Sequence, residues 1–89
     1  MEKGQKFELK TFNGKTTANK DCCKNENYWQ LISTTGTLVN FAHELNFPNE
    51  NRVLIQFDVD VKAKGLECHN EIPNALWILT SDLSAINIQ

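Results

Sequence analysis

Hydrophobic and polar positions alternate most regularly in RVLIQFDVDV, residues 52–61. Val53, Ile55, Phe57, Val59 and Val61 take every second position, with Arg52, Leu54, Gln56, Asp58 and Asp60 between them. A period of two predicts a strand with one buried and one solvated face; a helix would scatter the same residues around its circumference. KFELKTF, residues 6–12, alternates in the same way, with Phe7 and Leu9 opposed to Lys6, Glu8 and Lys10. ALWIL, 75–79, predicts a strand with Leu76 and Ile78 on one face and Ala75, Trp77 and Leu79 on the other. YWQLI, 28–32, is aromatic and aliphatic and predicts a further strand. It is read as one arm of a hairpin with TLVNF, 37–41, in which Val39 and Phe41 share a face. The intervening STTG would turn at Gly36, which is free to take positive φ. TSDL predicts one tight helical turn in which Ser81 and Asp82 satisfy nearby backbone donors. SAINI, 84–88, is a short last strand.

Between these elements the chain is polar. Asn13-Gly14 is a turn signal. KTTANKDCCKNEN reads as a loop, and AHELNFPNEN as a connection in which Pro48 keeps Phe47 out of a helix. Gly65 marks the turn after KAK, and LECHNEIPN is a loop. No helix longer than one turn, no repeat and no second domain is expected. The chain divides into an N-terminal strand and polar loop open to motion, 1–27, and a compact β body, 28–89.

The order YWQLISTTGTLVNF, RVLIQFDVDV, NALWILTSDLSAI resembles a small SH3-like barrel of the KOW or Tudor type, over Tyr28 to Ile88. The resemblance implies a mainly β fold: about five short strands curled into a barrel, with a one-turn helix before the last strand. A barrel also removes the open edges that a small sheet must otherwise protect. Its core would hold Leu31, Val39, Phe41, Val53, Ile55, Phe57, Leu76, Ile78, Leu83 and Ile86, with Trp77 outside. Barrels of this type often bind peptide or nucleic acid in a groove of exposed aromatics, which here implies Tyr28, Trp29 and Trp77.

Composition adds bounds. With 89 residues, 40% hydrophobic and 22% charged, the chain is an ordinary globular sequence with a thin core. No apolar run approaches a membrane span, and MEKGQKFELK has no signal-peptide core, so a cytoplasmic protein is expected. The cysteines Cys22, Cys23 and Cys68 are odd in number and read as reduced thiols. Charge is uneven. Residues 1–30 hold six lysines against four carboxylates, a balance of +2, and residues 31–89 hold three cations against seven carboxylates, a balance of −4. An acidic body favours basic partners at encounter.

Few residues suggest chemistry. Cys68 and His69 are adjacent, and neighbours in an extended segment point apart, so they do not pair as nucleophile and base. Cys22-Cys23, His43 and Cys68-His69 are enough ligands for zinc, but neither pair has the spacing of a structural site. No phosphate-binding, hydrolase or metalloprotease motif is present, and no catalytic residue, metal or cofactor is expected. Asp58 and Asp60 share a strand face about 7 Å apart. With Glu67 and Glu71 they read as a solvated face able to dock a basic partner.

The expected function is a non-enzymatic protein-binding module. Its most concrete form is similar to the small bacterial immunity proteins that neutralise a delivered toxin. Asp58, Asp60, Glu67 and Glu71 would cover a cationic toxin surface, with Tyr28, Trp29 and Trp77 as aromatic anchors. A KOW- or Tudor-like module binding RNA, ribosome or a peptide is the alternative, disfavoured because the lysines lie mostly in the N-terminal stretch. A zinc or redox protein is the third.

Overall fold

The computed structural model describes residues 1–86. Five strands form one antiparallel sheet: β1 Lys6–Leu9, β2 Thr35–Phe41, β3 Arg52–Phe57, β4 Ala75–Leu79 and β5 Leu83–Ala85. Their order is β4-β3-β2-β1-β5. Helical structure among the described residues is limited to short 3₁₀ turns, at Lys24–Glu26, Tyr28–Leu31, Ala42–Leu45, Lys62–Lys64 and Thr80–Asp82. No helix among them is long and apolar enough to cross a membrane. The architecture is mainly β and compatible with a small barrel-like fold. The sheet is not closed, however: β4 and β5 are its two edges. Of the last predicted strand, Ser84 and Ala85 lie in β5, while residues 87 and 88 fall outside the described residues.

The alternating stretches form strands as their periodicity dictates. Phe7 and Leu9 of β1 are buried, as are Val53, Ile55 and Phe57 of β3 and Leu76 and Ile78 of β4. They join Leu31, Leu38, Phe12, Val61 and Leu66 in one core cluster. β1 pairs with both β2 and β5, so the sheet draws on the first 27 residues as well as on 28–89. β3 ends at Phe57, four residues short of the predicted strand.

Three expectations are corrected. Tyr28–Leu31 is a 3₁₀ turn and not a hairpin arm, and β2 pairs with β1 and β3 instead. The turn lays Tyr28 and Trp29 against Phe12, at ring-centroid distances of 5.4 and 4.9 Å. That packing overrides the β propensity of aromatic residues. Second, Gly36 lies inside β2, and the positive φ belongs to Ser33, at 75°. Glycine is needed at 36 for a different reason: a Cβ there would come within 2.6 Å of the Ile55 side chain and 2.8 Å of the Gln56 carbonyl. Third, Leu38 takes the core position expected of Val39, while Phe41, opposite Val53, still packs against the core. Leu38 is buried and Val39 only half-buried, because the register shifts between Leu38 and Asn40. Val39 is the extra residue of this bulge. Phe41, Leu83 and Ile86 are likewise half-buried and line the margin rather than the centre of the core.

A buried carboxylate ties the turn before β5 to the turn that follows β1. Asp82, 1% exposed, does not cap its own turn, as the TSDL motif suggests. It reaches across to the Asn13-Gly14 turn, accepting from the Asn13 and Gly14 N–H groups at 2.9 and 3.0 Å and from the Thr11 hydroxyl at 2.6 Å. Both turn residues have positive φ, 52° and 78°, and Phe12 bridges Lys15 around them. This is the geometry that selects Asn-Gly in two-residue turns.

Candidate functional site

The acidic segment after β3 owes its shape to Asn74. This residue has φ of 62°, and its side-chain amide donates to the carbonyls of Phe57 and Val59 at 2.7 and 2.6 Å. Its carbonyl oxygen accepts the Val61 N–H at 2.7 Å. The three bonds replace the ladder that a longer β3 would have made, and they bend residues 58–61 away from the sheet. Asn74 shows in sequence only as a turn-former after a proline.

Asp58 and Asp60 stand out from this bend and are exposed. Asp58 accepts from Lys6 Nζ at 2.6 Å and from the Thr35 hydroxyl. Both bonds, that from Lys6 foremost, hold its carboxyl below the ordinary aspartate range. Asp60 accepts the Ala63 N–H at 3.2 Å, at the start of the Lys62–Lys64 turn. With Lys62, Cys68, Asn70 and Glu71 they line an open groove of about 550 Å³. Among the described residues neither Asp60 nor Glu71 has a salt-bridge partner.

A second groove, of about 370 Å³, lies on the outer face of β3 and β4. Its floor is Leu54, fully buried although its position in the alternation is on the solvent side. Leu54 pairs with Trp77 across the strands, and the Trp77 ring stacks on Phe47 at 4.2 Å and 13°. Leu45, 48% exposed, and Ile72 complete its walls. Trp77 is thus outside the main core, as its alternation predicts, but half-buried by a partner from the 42–51 connection. Nothing in the pattern of residues 45–47 marks Leu45 and Phe47 as its cover. Asn70 and Glu71 border both grooves, so the acidic and the aromatic concavities are contiguous.

The remaining candidates lie on the other side of the 67–71 segment. The Tyr28 hydroxyl donates to the Glu67 carbonyl at 2.6 Å. Burial, with Glu26 next, pushes the Tyr28 phenol above its ordinary pKa. Tyr28 and Trp29 line a cavity of about 650 Å³ with Asp21, Cys22, Cys23, Glu26 and His69. Tyr28 and Trp77 both line a cleft of about 160 Å³ beside His69. The Glu67 carboxylate faces His69, Oε2 to Nε2 being 3.4 Å, and not the groove of Asp58, Asp60 and Glu71.

The structure turns Cys68 and His69 to different grooves, while Cys22 and Cys23 line the cavity beside His69. Cys68 lines the acidic groove, and burial raises its thiol pKa. His69 lies against Glu26 and Glu67. His43 is exposed and stacks on Phe41 at 5.9 Å. All three cysteines are free. No family model, curated protein or solved structure matches this chain.

Proposed function

We propose that the protein is a non-enzymatic protein-binding module, and that its docking surface is the pair of contiguous grooves meeting at Glu71. The partner segment presents a basic residue to Asp60 and Glu71 and an apolar residue to Trp77. The observation that carries this reading is the shared rim: the carboxylates of Asp60 and Glu71, without salt-bridge partners among the described residues, adjoin the apolar recess walled by Phe47, Ile72 and Trp77. Charge of this kind steers encounter, and a half-buried aromatic beside a recess is the usual energetic centre of an interface. Asp58 contributes less than its position suggests, because Lys6 already neutralises it.

In its most specific form the module is a toxin inhibitor of the immunity-protein kind on an SH3-like scaffold, occluding a cationic surface of its target. The sheet order and the turn before β5 support that scaffold, and the acidic groove supports that target. Recognition of RNA is less well supported, since Lys6 is engaged by Asp58 and Lys3 by Glu44.

Selection of binders from a displayed random-peptide library tests the reading. Enriched peptides should carry Lys or Arg near Leu, Phe or Trp. On titration they should shift the Trp77 indole and the Asp60 and Glu71 amides in NMR spectra. Binding should weaken about ten-fold or more in Trp77→Ala or Asp60→Lys/Glu71→Lys, one lost anchor being worth about 1.4 kcal/mol or more. Enrichment of acidic peptides, or binding that maps elsewhere, overturns it.

A further inference from the structure

Outside the docking grooves, at the edge of the cavity that Tyr28 and Trp29 line, the fold brings together ligand types that the sequence scatters. Glu26 ends the Lys24–Glu26 turn, and Glu67 and His69 lie some forty residues later. Their side-chain ligand atoms lie within 4.8 Å of one another. His69 Nε2 is 3.4 Å from Glu67 Oε2 and 3.8 Å from Glu26 Oε1. Two ligands bound at about 2.1 Å in a tetrahedral zinc site lie about 3.4 Å apart, so the observed spacings are close to those of a ligand set. Glu26 and His69 also line the same cavity as Cys22 and Cys23, whose thiols lie outside this ligand cluster. We propose that Glu26, Glu67 and His69 form a binding site for a divalent transition metal of the zinc type.

The donor set favours such a metal over calcium or magnesium, which take oxygen ligands, because an imidazole nitrogen lies between the carboxylates. The backbone holds the two ligand segments in register. The Glu67 N–H donates to the Asn25 carbonyl at 2.9 Å, and the Tyr28 hydroxyl holds the Glu67 carbonyl. Such supports orient ligands and raise affinity. The ion relieves the repulsion between two carboxylates drawn to one imidazole. It also joins the long polar loop of residues 15–27 to the 67–69 segment.

Isothermal titration of the full chain with Zn²⁺ tests the site, with ¹⁵N spectra of the histidine side chains as a second readout. One saturable ion per chain is expected, with the Nε2 resonance of His69 shifted and that of His43 unmoved. His69→Ala and Glu26→Gln/Glu67→Gln should each weaken binding roughly ten-fold or more, the least that loss of a ligand costs. His43→Ala should leave it unchanged. All three ligands are exposed, so these variants keep the fold, which circular dichroism verifies. The site is overturned if the wild-type chain takes up no Zn²⁺ saturably. It is equally overturned if His69→Ala binds as well as wild type, or if binding is lost instead in Cys68→Ser. The site uses none of Asp60, Glu71 and Trp77, so its failure and that of the docking surface are read independently.

Discussion

On the inner face of β3 and β4, Val53, Ile55, Phe57, Leu76 and Ile78 pack into a cluster with Phe7 and Leu9 of β1, Leu38 of β2 and Phe12, Leu31, Val61 and Leu66 from between the strands. On the outer face Leu54 is just as thoroughly buried, yet its cover is one stacked pair, Phe47 and Trp77, with Leu45 beside it. The inner layer is held by many elements at once, the outer by Leu45 and Phe47 of one connection with Trp77 of β4 and Ile72 of the loop before it. Equal burial therefore does not mean equal permanence. The inner face is committed to the fold, while the outer is an apolar layer with open space against it, as a binding surface requires.

Truncation should separate the two faces. Ile55→Ala removes a side chain encased on all sides and is expected to cost about 4 kcal/mol in urea denaturation. Leu54→Ala should cost less, about 2–3 kcal/mol, because its thin cover can settle into the space. An equal or greater loss at Leu54 would abolish the distinction. Trp77→Ala, half-buried, should cost about 1–2 kcal/mol. A double-mutant cycle sharpens the comparison further. Leu54→Ala and Trp77→Ala should be non-additive by about 1 kcal/mol, whereas Ile55→Ala and Trp77→Ala, on opposite faces, should add to within about 0.5 kcal/mol. Asp60→Lys/Glu71→Lys, on the exposed rim, should change stability by no more than about 0.5 kcal/mol.

The smallest expected effect is on pH dependence. The folded-state pKa of Asp58 is lowered, so its stabilising contribution is present above about pH 4, the ordinary aspartate value, and is lost as pH falls through the folded value. The stability difference between wild type and Asp58→Asn should thus narrow in acid. Lys6→Met should raise the Asp58 pKa in NMR titration, since Lys6 is the leading cause of the shift.

The inner face is legible from alternation alone, because Val53, Ile55 and Phe57 repeat with the period that the pleat imposes. The outer face is not. Leu54 sits among Arg52, Gln56 and Asp58 and reads as solvated; only Phe47, brought back by the Ala42–Leu45 turn, makes it a floor. β2 misleads for a similar reason. A bulge at Val39 puts Leu38 in the core position expected of Val39, and no residue type announces a bulge in advance. Leu66 is a core residue outside any strand, so no periodicity points to it, whereas Val61 keeps the inward phase of the alternation although β3 has already ended. Of the candidate site, alternation puts Asp58 and Asp60 together, but their neighbour Glu71 comes from a loop that Asn74 and Asn70 shape. Asn70 does so by donating to the Ala75 carbonyl at 2.7 Å. Glu67, four residues before Glu71, turns to His69 instead, and that divergence depends on loop geometry beyond the reach of composition.

The place of β1 between β2 and β5 has a consequence for biosynthesis. Its second partner, β5, lies more than seventy residues downstream, so one flank of β1 stays bare until residues 83–85 are in place. Such long-range pairing slows folding. A chain cut before residue 80 would therefore lose β5 and leave that edge of β1 unpaired.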